Sequence, residues 1–175
     1  MSAPPGHFVQ AELRCLVAPT AQGDLVLPTS AVAEVVAHGG EARIRKGSPE
    51  WLMGDLKWRD LRVPLIDLGA QAHMPAPAAG TRRPHPYALI CFTPSGNQAL
   101  PYIAFLVAGL PRQARIHRED LVPATNPTAR PFLLYALELQ GRPAWIPDLD
   151  ALERQGLVLV GDKEGRHAPD PRNLP

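Results

Sequence analysis

Long apolar runs, charge of one sign, paired cysteines and aromatic rings are all scarce in this chain, and each scarcity removes a class of function. No stretch approaches the roughly 18 continuous apolar residues that a membrane-spanning helix needs, so direct membrane insertion is not expected. The opening Met1-Ser-Ala-Pro-Pro-Gly6 has neither a basic region nor an apolar core, which points to a cytoplasmic protein. Lys and Arg number 18 against 17 Asp and Glu, a net charge of +1, so no global field would gather nucleic acid or an acidic membrane. Cys15 and Cys91 are the two cysteines; they sit in apolar runs with no CxxC spacing and no adjacent His, as buried free thiols in a reducing compartment do. The six histidines, His7, His38, His73, His85, His117 and His167, are dispersed with no HxH or HExxH spacing, so no metal is expected. There is no G-x-S-x-G motif, and Ser30, Ser48 and Ser95 lie in cap or turn contexts. No glycine loop matches a phosphate-binding or dinucleotide pattern either, so neither catalytic residues nor a cofactor are expected.

Proline, by contrast, is abundant: 21 residues scattered along 175, against an average share of roughly 5%, a punctuation that suits many short strands and disfavours long helices. The most informative feature is an echo. The end of Trp51-Leu-Met-Gly-Asp-Leu-Lys-Trp-Arg-Asp-Leu-Arg-Val-Pro-Leu-Ile-Asp-Leu68 returns as Arg142-Pro-Ala-Trp-Ile-Pro-Asp-Leu149. A second pair, Leu25-Val-Leu-Pro28 and Gln98-Ala-Leu-Pro101, keeps the same order. Two copies are too few for a solenoid and favour two small subdomains.

Alternation over Leu13, Cys15 and Val17, the turn Gln22-Gly-Asp24 and Leu25–Leu27 read as a hairpin. Thr29 or Ser30 is placed to cap a short helix carrying Val32, Val35 and Val36 at i, i+3, i+4, stopped by Gly39-Gly40. Arg43–Arg45 reads as a brief strand, and Pro49–Met53 as one helical turn ended by Gly54. Strands at Asp55–Trp58 and Leu61–Ile66 flank Arg59-Asp60, with Pro64 implying an edge or a bulge. Residues 71–86 form a Pro/Ala-rich connection. Tyr87–Thr93 and Ala99–Leu110 make a second hairpin, Phe132–Leu139 and Ala144–Ile146 a third, and Pro147-Asp148 opens a helix with Leu149 and Leu152. Asp67 and Asp148 are read as caps of the turns that follow them, not as a catalytic carboxylate pair. Tails at 1–7 and 161–175 are expected to be flexible. The fold class is mainly β, two five-stranded SH3-like barrels of about 8–70 and 87–158 within one 8–158 domain, either self-contained or exchanging a strand, with a few short helices.

Leu25–Pro28 with Ala31–Val36, then Pro49-Glu-Trp-Leu-Met-Gly54, Trp58-Arg59, Val63-Pro64 and Ile66-Asp67-Leu68, resemble the CheW family of chemosensory adaptors. The order Gly54, Arg59, Pro64, Asp67 is its most specific part. The resemblance implies a non-catalytic adaptor that binds a CheA-type histidine kinase and the cytoplasmic tip of a chemoreceptor; a monomer is the default expectation for the chain alone. It assigns receptor coupling to Arg59 and a receptor groove to Val32, Val35, Val36, Leu56 and Trp58, with Gly54, Pro64, Asp67 and Asp148 as structural residues. Where the family usually has Arg-Gly this chain has Arg59-Asp60, a turn that survives if Asp60 takes the left-handed conformation. This divergence is similar to the accessory CheW-like proteins of type IV pilus chemosensory clusters, which implies a role in twitching motility. Two alternatives stand beside this reading. One is a CheW-like protein with a single partner. The other is a small-barrel module for single-stranded nucleic acid, built on Arg43/Arg45/Lys46, Arg82/Arg83 and Arg112/Arg115/Arg118, although aromatic content is 6% and none of these groups is interleaved with rings, so no nucleic-acid partner is expected.

Overall fold

A computed structural model describes residues 12–21, 23–39, 48–68, 86–123 and 132–165. The expected strand at 43–45, the 71–85 connection and the tail residues 1–7 and 166–175 lie outside them. Short β-branched and apolar stretches separated by Gly, Pro and Asn turns give eleven strands among the described residues. They are β1 (Glu12–Pro19), β2 (Asp24–Pro28), β3 (Val32–Ala37), β4 (Leu52–Trp58), β5 (Leu61–Ile66) and β6 (Tyr87–Phe92). β7 (Tyr102–Val107), β8 (Arg112–His117), β9 (Val122–Pro123), β10 (Leu133–Leu139) and β11 (Arg142–Pro147) follow, and helix α1 (Leu149–Gly165) comes last.

The strands make a mainly β, two-subdomain SH3-like fold of two sheets, ordered β8-β1-β2-β11-β10-β9 and β3-β6-β7-β5-β4. Each sheet takes a hairpin from one half of the chain and its remaining strands from the other. The halves are sewn together by two parallel contacts, Ala144 and Trp145 of β11 beside Asp24 and Leu25 of β2, and Leu65 and Ile66 of β5 beside Ala104 and Phe105 of β7. The ladders are open and do not close into barrels by backbone pairing.

The sequence echo has a structural counterpart. β4–β5 and β10–β11 repeat one another at a constant offset of 81 residues, down to the bulges at Leu52/Gly54 and Leu133/Tyr135. Arg59 and Gln140, at the same offset, both have positive φ, 53° and 54°. The Asp67 amide donates to Trp51 O at 2.8 Å and the Asp148 amide to Phe132 O at 2.9 Å. Trp51 and Phe132 then meet edge to face, ring centroids 5.0 Å apart, where the halves join. The Leu-Pro echo, in contrast, does not correspond. Thr20 and Thr93 are the matching residues that close the β1–β2 and β6–β7 hairpins, donating to Gly23 O and Pro101 O, so Pro101 answers Gly23 while Pro28 ends β2.

Strand alternation sorts the apolar residues into three cores. One is shared between the sheets and contains Leu25, Leu27, Leu89, Phe105, Ile66, Trp51, Phe132 and Leu152 of α1. Each sheet also wraps its own core: Leu56, Trp58, Val63, Leu65, Ile90 and Leu106 in one, and Val17, Val26, Ile116, Leu137 and Ile146 in the other. Asp148 Oδ1 accepts from the Ala151 amide at 2.9 Å, so this aspartate does cap the helix that follows it. Glu153 is buried and holds the β6–β7 turn, accepting from the Ser95 amide at 3.0 Å and from the Ser95 hydroxyl.

Several local expectations are corrected. Val32–Ala37 is a strand paired with β6, not a helix; only Thr29–Ala31 makes a 3-10 turn, without a side-chain cap. A short valine run has weak helical preference and gains a full ladder by pairing, so the sheet wins. Pro49–Met53 likewise forms a turn, Leu52 N to Pro49 O at 3.0 Å, and enters β4. β5 is an interior strand; Pro64 is tolerated because pairing with β7 begins at the next residue. In the β4–β5 turn Arg59 takes the left-handed conformation and Asp60 does not. α1 continues to Gly165, past the expected start of the tail.

Candidate functional site

β3 and β4 are the two outer strands of their sheet, so a curled sheet brings them face to face without backbone pairing. Side chains bridge the gap. Glu34 of β3 accepts a hydrogen bond from Trp58 Nε1 at 3.1 Å and one from Arg59 Nη2 at 2.9 Å. The Arg59 guanidinium also lies over the Trp58 ring, 4.5 Å from its centroid. One carboxylate, one indole and one guanidinium thus close the sheet that the ladder leaves open.

The same closure forms the mouth of that sheet's core. Ala88, Ile90 and Phe92 share one face of β6, Tyr102, Ala104 and Leu106 one face of β7, and Leu61, Val63 and Leu65 one face of β5. At the end near Arg59 these rows run out into solvent. Phe92 is 46% exposed and Leu61 41%, while Tyr102 packs against Phe92 at 5.4 Å and edge-on against Trp58 at 4.9 Å. An aromatic and aliphatic opening rimmed by a largely exposed arginine has the composition of a protein-binding hot spot.

The expected site residues divide between surface and interior. Arg59 is the exposed member, its side chain 70% accessible. Trp58 and Leu56 are buried, so they support the surface from beneath instead of forming it. Val32 and Val35 pack against the shared core and Val36 against the core of their own sheet, which splits the set between two faces. Gly54 has φ 135° at the β4 bulge, a conformation that side chains rarely adopt, which explains a glycine there. Sequence reasoning missed Glu34, Phe92, Tyr102 and Leu61. Phe92 and Tyr102 could have been found by alternation once β6 and β7 were paired, but Glu34 could not, since its partner lies 25 positions away across an unpaired gap.

Several other ionisable groups are held in structural pairs. Buried Asp24 meets Arg142 at 3.2 Å and Arg112 at 3.8 Å, tying β2, β11 and β8, and Arg115 meets Glu12 at 3.1 Å. Cys15 and Cys91 are free and buried, and burial raises both thiols above their ordinary value, Cys91 far above it. Among the described residues no group of three or more His, Cys, Asp or Glu is placed to hold a metal. Among the same residues no helix is long and apolar enough to cross a membrane.

The fold and site together define a duplicated two-sheet β domain with an exposed arginine beside an open aromatic mouth. The chain belongs to the CheW-like domain family, whose model matches residues 14–155. A solved structure, the scaffolding protein TtCheW from Thermoanaerobacter tengcongensis, is similar with a TM-score of 0.58 at 16% identity, over 77% of this chain and 88% of that one. No curated protein matches.

Proposed function

We propose that this protein is a non-catalytic chemosensory adaptor that couples a chemoreceptor's cytoplasmic tip to a CheA-type histidine kinase. Membership of the CheW-like family supports the adaptor class. The observation that carries the site is the Arg59 turn: a guanidinium held on Trp58 and Glu34 beside an open aromatic mouth. Preorganising a long side chain reduces the entropy lost on binding, so Arg59 serves as the anchor and Leu61, Phe92 and Tyr102 as apolar contacts around it. The resemblance of its motif to accessory members of pilus clusters makes type IV pilus motility the output we favour. Individual affinities are modest in this scheme, because scaffolds within arrays gain avidity from multivalency.

The test is calorimetric titration of the purified chain with a receptor-tip fragment and with the kinase from the same cells. Arg59→Ala is expected to weaken receptor binding about tenfold, which is about 1.4 kcal/mol, while leaving kinase binding intact. Failure to bind either partner, or an Arg59→Ala variant that binds the receptor as well as the parent, would overturn the proposal.

A further inference from the structure

The other sheet carries two facing arginines beside a cavity. Arg14 of β1 and Arg115 of β8 are directly opposed cross-strand partners, and like charges in that position repel each other. Arg115 is compensated by Glu12 at 3.1 Å, whereas among the described residues no carboxylate pairs with Arg14. Both arginines line a cavity of about 390 Å³ together with Thr29, Gln113, Ala114 and Cys15. The charged groups at this cavity are two guanidinium forks against the single carboxylate of Glu12, while the Thr29 hydroxyl is already donating to Arg14 O at 3.2 Å. β8 is also the terminal strand of its sheet, so its outer edge offers backbone donors and acceptors that no described strand uses.

The geometry points to a docking site for an extended acidic peptide segment of a partner protein. The segment lies along the free edge of β8 and seats a Glu or Asp carboxylate between Arg14 and Arg115. The open edge is what favours a peptide over a free anion, since main-chain pairing holds the segment while the pocket reads one side chain. Arginine suits that role because its planar fork receives a carboxylate in two parallel hydrogen bonds. The site is on the opposite sheet from Arg59 and does not rest on the adaptor reading.

The test follows amide resonances of the full chain on addition of a seven-residue capped peptide carrying two glutamates in a Ser/Thr/Val background. Its Glu-to-Gln counterpart and sodium phosphate are run in parallel. The glutamate peptide is expected to shift the amides of Gln113, Ala114 and Arg115 saturably and to bind at least about tenfold more tightly than the glutamine peptide. Arg14→Gln and Arg115→Gln should each weaken it about tenfold. Arg14→Gln should leave the melting temperature unchanged or higher, because it removes the facing like charge, and Arg59→Ala should bind the peptide as the parent does. Absence of shifts along β8, equal binding of the two peptides, or variants that bind like the parent would overturn the site. Phosphate reproducing the same shifts at the same concentration would overturn the peptide as its occupant.

Discussion

Glu34 shows how one residue can set a surface. It accepts from both Trp58 Nε1 and Arg59 Nη2, so its loss has two separable consequences. Glu34→Gln keeps an oxygen acceptor for the part-buried indole N–H, whereas Glu34→Ala removes it and should cost about 1 kcal/mol. Thermal melts are therefore expected to place the Ala variant a few degrees below parent and the Gln variant close to it; coincident melts would mean the indole bond contributes nothing. Arg59→Ala should change the melt little, since an exposed ion pair is worth about 0–1 kcal/mol. The two thiols make a further residue-scale prediction. Burial raises Cys15 and Cys91, so both stay protonated and inaccessible in the native state. Unfolded thiols ionise near their ordinary value, so the unfolded state binds fewer protons above it. The contribution of these buried thiols is complete below that pH and declines as pH rises past it. Ellman's reagent at neutral pH should react only as fast as the chain opens; immediate reaction of either thiol would contradict the burial.

At the scale of elements, the crossing of β2 against β11 depends on a single glycine. A Cβ on Gly23 would sit 2.6 Å from Pro143 O and 3.0 Å from the Trp145 ring. Backbone cannot yield as a flexible side chain can, so Gly23→Ala is expected to lose about 1–3 kcal/mol, visible as a lowered denaturant midpoint. A midpoint equal to the parent would mean that the strands separate freely there. Hairpins were the elements most legible in the sequence: alternation and turn residues located β1–β2, β4–β5, β6–β7 and β10–β11. The β3 segment departs from the helical reading because Val32, Val35 and Val36 satisfy a helical period, while the bulge between Val32 and Glu34 breaks the strand alternation that would have revealed a strand. The decisive term is the ladder offered by β6, whose residues lie 50 to 59 positions further along the chain than their partners. β8 was seen only as a basic cluster, since Arg112, Gln113 and Arg115 give it little apolar alternation to read.

At the scale of the molecule, both sheets mix strands from the two halves, so neither half carries a complete sheet. Fragments 1–77 and 78–175 are each expected to be unfolded alone and to regain the parent's circular dichroism and a cooperative melt when mixed. Either fragment folding alone would refute this dependence. The Trp51–Phe132 contact and the helix residue Leu152 lie in the core both sheets share, which gives the two subdomains one common interior.

The chain by itself determined the mainly β class, the duplication through the Asp67 and Asp148 segments and the free thiols, because each is written in local pattern or in a short motif. Tertiary structure alone decided which strands from opposite halves pair and that β3 is a strand. It alone also decided that Glu34 holds Trp58 and Arg59, and that Arg14 faces Arg115. Those outcomes depend on contacts between residues far apart in sequence, and local pattern carries no record of which distant strand will supply the missing hydrogen bonds.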